Sequence, residues 1–171
     1  YYGLDLYKKR MLPDLLHRLA DVKGLEWIRL HYAYPHKFPL EILDVMRERD
    51  NICNYLDMPL QHASDAMLKA MRRQITRAET EELITAVRER VPGLCLRTTL
   101  IAGFPGETEQ DVEETKQFLQ QHRFDRVGIF TYSHEEGTSG YSLDDNIPAA
   151  EKERRAQEIM AVQQEISYEL N

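Results

Sequence analysis

The sequence has few cysteines and lacks any long apolar run. Its 171 residues include two cysteines, Cys53 and Cys95, whereas a structural zinc site or an iron–sulfur cluster needs three or four protein ligands. Both thiols have apolar neighbours, which favours buried, reduced cysteines. No stretch approaches the roughly 18 apolar residues of a membrane helix, and no signal peptide is visible. We therefore predict no metal ligand, no membrane association and a cytoplasmic location.

Basic residues are too few to balance the acidic ones. The 22 Lys and Arg residues stand against 29 Asp and Glu, so the net charge is −7. Nucleic-acid backbones are bound by clustered Lys and Arg, so we expect no direct nucleic-acid binding. A basic protein partner is compatible with this charge. The length fits one domain or a piece of a larger one, and a first residue other than Met favours a piece.

Apolar runs alternate with helical patterns along the chain. The predicted strands are residues 26–32, 55–60, 94–104 and 126–132. The predicted helices lie around Leu12–Leu19 and Ile42–Met46, after the N-cap candidate Ser64, after the capping-box pattern at Thr76, from Thr108 and Asp111 onward, and over 148–170. This alternation predicts parallel strands joined by helical crossovers, which is the α/β class, as an open sheet or as a segment of a barrel.

Functional residues in such folds lie at the carboxyl ends of the strands. The first strand ends in an aromatic turn, 32–36, which is either simply packed or the wall of a pocket. The second leads to Gln61 and His62, before a helix N-terminus. Arg72 and Arg73 follow, and by composition alone they would lie on a solvated face.

The third and fourth strands offer further candidates. Arg97 lies in a strand so apolar that it needs an acidic partner. The turn 103–108 has two glycines that would let a flat ring approach, and its Glu107 fits a nearby helix start. A long irregular loop, 133–147, follows the last strand, as functional loops often do. Residue patterns alone do not go beyond an α/β domain with a pocket at the strand ends.

Together these segments resemble the radical S-adenosylmethionine (SAM) methylthiotransferases. The resemblance covers essentially the whole chain, through residues 2–7, 27–35, 57–62, 71–79, 97–108, 124–138 and 164–167. It implies a partial TIM-type (β/α) barrel, with residues 1–171 as the C-terminal portion of the radical SAM domain. An N-terminal cluster domain, the cluster-binding loop and a TRAM domain would lie outside this chain.

The resemblance also implies cofactors and site residues. SAM would be bound here, while the ligands of two iron–sulfur clusters would lie outside this chain, so the chain alone is predicted to be inactive. Gln61 and Thr99 fall where ribose contacts occur, and many relatives have an aspartate in place of Thr99. Arg73 would meet the methionine carboxylate, and the backbone of Ile101 to Gly103 would flank adenine. Substrate-side contacts would come from His62, Arg97, Tyr132, Ser133 and Glu135.

Three functions follow from this resemblance. The loop 132–138 and the segment 29–35 are most similar to enzymes that methylthiolate the β-carbon of an aspartate in a small-subunit ribosomal protein. The alternatives are a methylthiotransferase acting on transfer RNA, and a degenerate barrel that serves as a non-catalytic scaffold.

Overall fold

The computed structural model describes residues 2–170, and these residues form an alternating series of helices and strands. The strands are β1 (Ile28–Leu30), β2 (Ile52–Asp57), β3 (Cys95–Ala102) and β4 (Arg126–Thr131). The helices are α1 (Leu4–Tyr7), α2 (Leu12–Ala20), α3 (Glu41–Glu48), α4 (Asp65–Ala70), α5 (Arg77–Arg90), α6 (Glu109–His122) and α7 (Ala149–Leu170). Apart from the short α1, every element corresponds to a predicted one.

All four strands are parallel, in the order β1-β2-β3-β4. Asp57 of β2 lies opposite Arg97 of β3, which lies opposite Arg126 of β4. A doubly wound sheet would reverse its strand order at a switch point, whereas a barrel adds each strand on the same side of the last one. The predicted α/β class and the partial barrel are therefore confirmed.

The second strand lies three residues earlier than predicted. It spans Ile52–Asp57 rather than 55–60, because Pro59 has no N–H to contribute to a ladder. The chain beyond it nevertheless follows β3: the Met58 N–H donates to the Arg97 carbonyl at 2.9 Å, and the Leu60 N–H donates to Thr98 Oγ1 at 3.2 Å. The other strands are shorter than predicted, most of all β1, which has three residues.

The capping box predicted at Thr76 is confirmed, and the side-chain cap predicted at Ser64 is wrong. Thr76 with Glu79 and Thr108 with Asp111 both form complete capping boxes, in which side chain and backbone bond reciprocally. Ser64 occupies the N-cap position of α4 but makes no side-chain cap. Its hydroxyl donates instead to Asp111 Oδ1 at 2.5 Å, which ties the start of α4 to the start of α6.

The sheet has one covered face and one open face. Along β3, buried Leu96, Thr98, Leu100 and Ala102 alternate with half-buried residues, and the buried leucines join helical side chains in the core. Contacts between side chains of neighbouring strands define the other side. We call it the open face, and it carries Arg29, His31, Tyr55, Asp57, Arg97, Thr99, Gly128 and Phe130.

The sheet ends at β1 and at β4. Within residues 2–170 each of these strands pairs on one side only, and Trp27 beside β1 is 81% exposed. Within the described residues, β1 and β4 are therefore the two open edges of the partial barrel. No helix in the described part of the chain is long and apolar enough to cross a membrane.

Candidate functional site

The chain after β2 returns to β3 at Gln61, near the carboxyl ends of both strands. Its N–H donates to the Thr99 carbonyl at 2.9 Å, and its own carbonyl accepts from the Ile101 N–H at 2.8 Å. Gln61 has a left-handed backbone, with φ of 76°, a conformation that costs a non-glycine residue about 1–2 kcal/mol. The two backbone bonds hold it there, and they bring Gln61, Thr99 and Ile101 together.

The polar side chains of Gln61 and Thr99 are available to a ligand. Both residues are half-buried, and neither the amide nor the hydroxyl hydrogen-bonds to another described residue. Amides and hydroxyls both donate and accept, so they match sugar hydroxyls.

Glu107 is the centre of a buried polar network that supports the loop after β3. Its side chain is 0% exposed and accepts three hydrogen bonds. These come from the Gly103 N–H at 2.8 Å, Arg155 Nη1 at 3.0 Å and His62 Nε2 at 3.1 Å. His62 Nδ1 accepts the Ser64 N–H at 2.9 Å, so the ring proton lies on Nε2 and points at Glu107. The network joins the loops after β2 and β3 to α7.

The network gives His62 and Glu107 roles other than those expected from the sequence. His62 is 2% exposed and both of its ring nitrogens are engaged, so it has no polar atom left for a substrate. Glu107 supports the turn from inside rather than complementing a helix start. His62 therefore supports the loop after β3 instead of contacting a substrate.

Gly103 has a left-handed φ of 77° and no room for a side chain. A Cβ at this position would lie 2.3 Å from Cγ of Lys152 and 2.8 Å from its Cβ. The glycine therefore lets α7 pack against the end of β3. The space that the sequence suggested for a flat ligand is filled, on this side, by the stem of Lys152.

Arg73 lies against the chain that leads to Gln61. Its Nη2 donates to the Pro59 carbonyl at 2.8 Å, and its guanidinium stacks over the ring of Tyr34 at 4.6 Å from the centroid. The buried Nε has no hydrogen-bond partner among residues 2–170. Arg73 is thus built into the site rather than lying on a solvated face.

The loop after β4 begins beside the end of β3. The Tyr132 N–H donates to the Ala102 carbonyl at 2.8 Å, and the ring packs edge-on against Phe104. Burial and the nearby Asp145 raise the pKa of Tyr132, so the phenol stays protonated at neutral pH. Ser133 and Glu135 are exposed and bond to each other, at 2.5 Å. These two side chains point into solvent next to the strand ends.

Arg97 has the acidic partner that its apolar strand predicts. Its Nη1 donates to Asp57 Oδ1 at 2.8 Å, with the Asp57 side chain 8% exposed and that of Arg97 34% exposed. Burial and the Asp57 charge together raise the pKa of neighbouring Tyr55. The ion pair lies on the open face, at the carboxyl end of β2 and near the amino end of β3.

The aromatic turn after β1 is both packed and part of a cavity. Tyr32 is 70% exposed, whereas Tyr34 stacks on Arg73. A cavity of 370 Å³ opens between this turn and the N-terminal residues. Its wall includes Tyr2, Arg10, Tyr32, Tyr34, His36 and Phe38.

A sequence model of the radical SAM superfamily matches residues 6–119. The chain belongs to the radical SAM superfamily. It is 61% identical over 171 residues to the ribosomal protein uS12 methylthiotransferase RimO of Cytophaga hutchinsonii, and 56% identical to RimO of Flavobacterium johnsoniae. RimO of Bacteroides fragilis is 58% identical over 172 residues. These alignments cover 100% of this chain but only 39–40% of each relative.

Solved radical SAM structures share the fold. Coproporphyrinogen III oxidase HemN from Escherichia coli superposes with a TM-score of 0.70 at 22% identity, over 91% of this chain and 36% of HemN. The methyltransferase TsrM from Kitasatospora setae, which has cobalamin and a [4Fe–4S] cluster bound, superposes with a TM-score of 0.57 at 21% identity, over 75% of this chain and 26% of TsrM. At these identities the likeness supports the partial barrel and nothing further.

The residues that sequence reasoning missed lie mainly outside the radical SAM match. Arg155 and Lys152 belong to α7, beyond residue 119, and they reach back to Glu107 and Gly103. Lys152 also bonds to Asp145 at 2.7 Å, which anchors the end of the 133–147 loop. No local signal identifies these residues, because a basic side chain on an amphipathic helix is usually solvated.

The two cysteines of this radical SAM chain are free and half-buried. Burial and nearby Asp125 raise the pKa of Cys95, which disfavours the thiolate that binds metals. Within residues 2–170, no group of three or more His, Cys, Asp or Glu side chains is placed to hold a metal ion.

Proposed function

We propose that residues 1–171 are the C-terminal portion of the radical SAM domain of a RimO-type enzyme, which methylthiolates the β-carbon of an aspartate in ribosomal protein uS12. Identity of 54–61% to proteins of that name, along the full length of this chain, carries this proposal. The substrate is a protein, which agrees with the acidic net charge of −7. The reaction would take place in the cytoplasm, where ribosomes are assembled.

The open strand ends supply the SAM contacts in this proposal. The free amide of Gln61 and the free hydroxyl of Thr99 would hold the ribose. The guanidinium of Arg73, which the Pro59 carbonyl and the Tyr34 ring hold against the chain leading to Gln61, would bind the methionine carboxylate. The backbone from Ile101 to Gly103 would flank adenine on the side away from Lys152.

The remaining parts of the enzyme would lie in the polypeptide outside this chain. When bound to its iron–sulfur cluster, SAM supplies the 5′-deoxyadenosyl radical that abstracts hydrogen from the substrate carbon. Two clusters are proposed, one in the barrel and one in an N-terminal domain, and a TRAM domain would follow. This chain would contribute the wall that orients SAM, together with Tyr132, Ser133 and Glu135 on the substrate side.

The function can be tested with the full-length protein after anaerobic cluster reconstitution. With SAM, a reductant and a sulfur source, mass spectrometry should detect a methylthio group on the aspartate of purified uS12. Transfer RNA from a strain without the gene should retain all its methylthio groups. Modified transfer RNA with unmodified uS12 would refute the proposal and favour the RNA-modifying alternative. Absence of SAM binding would favour a scaffold.

Two adjacent arginines provide a matched test of the SAM site. Arg73→Gln removes the buried guanidinium, whereas Arg72→Gln removes an exposed one from the next residue. Loss of a charge-assisted hydrogen bond should raise the Kd for SAM about 10- to 100-fold in the first variant only. Equal Kd values for the two variants, with unchanged thermal stability, would remove Arg73 from the site.

A further inference from the structure

Positive charge is concentrated on the open face of an otherwise acidic chain. Arg29 stacks on Tyr55 at 4.9 Å from the ring centroid, and His31 lies 3.9 Å from Asp57. Arg97 shares the same carboxylate. One arginine and one histidine therefore contact Asp57, and a second arginine lies over neighbouring Tyr55, which makes this face suited to an anionic group.

On this face, Arg97 is a cation that an ion pair holds in place and that still has donors available for a ligand. Nη1 is fixed by Asp57 at 2.8 Å, while Nη2 and Nε make no hydrogen bond to another described residue. One ion pair thus orients the guanidinium, and two donors remain in the planar geometry that matches a carboxylate.

Gly128 keeps the space beside these donors empty. It lies within β4 and, unlike six other glycines of this chain, does not have a positive φ, so its backbone does not require glycine. A glycine inside a strand is destabilising and often marks the close approach of a ligand. A Cβ there would lie 3.5 Å from Arg97 Nη2, 3.5 Å from Phe130 Cε2 and 3.7 Å from Thr99 Oγ1. The glycine therefore leaves room for a small group between these three side chains, and any larger residue would fill it.

A cavity opens beside Arg97 and Gly128, between the start of β4 and the second half of α7. Its volume is 710 Å³, and its wall includes Arg97, Arg126, Gly128 and the α7 residues Met160 and Gln164. This volume is within the range of about 300–1,000 Å³ that is usual for ligand sites, and it can take an amino-acid side chain with its flanking peptide.

We propose that Arg97 binds the side-chain carboxylate of the substrate aspartate, in the space that Gly128 leaves open, and that Asp57 positions Arg97 for this contact. The inference rests on the proposed function, because it identifies how that enzyme would select an acidic residue. Thr99, which would contact the ribose of SAM, lies beside the same space. The substrate carboxylate would therefore be held next to the 5′-deoxyadenosyl group of SAM, from which the radical forms.

A purely structural role for the ion pair makes different predictions. Arg97 is 34% exposed, but its partner Asp57 is only 8% exposed, so removing Arg97 would also cost some stability. In the pair Arg90–Asp44, at 3.3 Å, the arginine is similarly exposed at 39% and the carboxylate is more exposed at 37%, and this pair joins α5 to α3 away from the open face. Arg90→Gln is therefore the matched control for Arg97→Gln.

The test uses the reconstituted full-length protein with uS12 and SAM. Arg97→Gln should lower kcat/KM for methylthiolation about 10- to 100-fold while leaving SAM affinity and substrate-independent SAM cleavage unchanged. Arg97→Lys should recover part of the loss, and Arg90→Gln should behave as wild type. Wild-type activity in Arg97→Gln would overturn the inference while leaving the proposed function intact. An inactive wild-type protein would overturn both.

Gly128→Ala separates binding from folding. An alanine here meets only ordinary contacts and restricts the unfolded chain, so the melting temperature should rise slightly. The methyl group nevertheless enters the proposed carboxylate space, so KM for uS12 should increase several-fold. A more stable variant with unchanged KM would refute the inference. As a second readout, uS12 with asparagine at the target should bind equally weakly to wild type and to Arg97→Gln.

Discussion

Replacing Glu107 with glutamine should test the buried network directly. The substitution preserves shape but removes the charge and places an NH₂ group where an acceptor is needed. If that group faces His62 Nε2, two donors meet, and His62 is unable to change tautomer without losing its bond from the Ser64 N–H. If the group faces the other way, the donors of Gly103 and Arg155 lose their acceptor.

The expected cost follows from burial. Removing one partner of a buried ion pair costs about 3–5 kcal/mol. Arg155 would keep Glu151 at 2.7 Å and Glu109 at 3.0 Å, so we expect the lower end, about 3 kcal/mol. For a chain of this size that corresponds to a decrease in Tm of roughly 6–12 °C.

Urea and thermal denaturation followed by circular dichroism would measure the effect. Glu113→Gln is the matched control, because its carboxylate bonds to Lys116 on the exposed side of α6. We expect its midpoint to equal that of wild type. A Glu107→Gln variant as stable as this control would mean that the three donors around residue 107 do not depend on its carboxylate, and the proposed role of the buried network would be wrong.

Two further predictions concern packing and pH. Gly103→Ala should destabilise the chain by about 2–4 kcal/mol, because the alanine would have a left-handed φ and would overlap with Lys152. Gly106→Ala, with φ of 85° and open space around it, should cost only about 1–2 kcal/mol. Equal urea midpoints for the two variants would contradict the overlap at Gly103. Burial lowers the pKa of His122 despite the opposing charge of Glu81. Its contribution is therefore complete above pH 6.5 and is lost as the pH falls through the folded pKa. His122→Phe should flatten the urea midpoints between about pH 7 and pH 5, and an unchanged slope would contradict this assignment.

Local signals in the sequence account for the element order and for the strand-end residues. The capping boxes at Thr76 and Thr108 are formed by residues three apart, so they are readable without the fold. The hydrophobic period and the alternation of elements predict parallel strands, and parallel strands bring Gln61 and Thr99 to one edge. The predicted bounds of β2, 55–60, are wrong because the apolar run through Pro59 continues beyond Asp57, the last residue of the strand.

The tertiary structure decided which polar groups are free and which are used. The sequence predicts that Ser64 caps a helix, but in the fold its hydroxyl donates to Asp111, which is 47 residues away. The sequence predicts that His62 contacts the substrate, but in the fold its two ring nitrogens bond to Glu107, 45 residues away, and to the Ser64 N–H. The sequence by itself determined the α/β alternation and placed Gln61 after one strand and Thr99 and Arg97 within the next, because periodicity and turn chemistry act over a few residues. Only the folded chain decided that Glu107 and Arg155 are structural and that Arg97 keeps two free donors, because those outcomes depend on packing between distant segments.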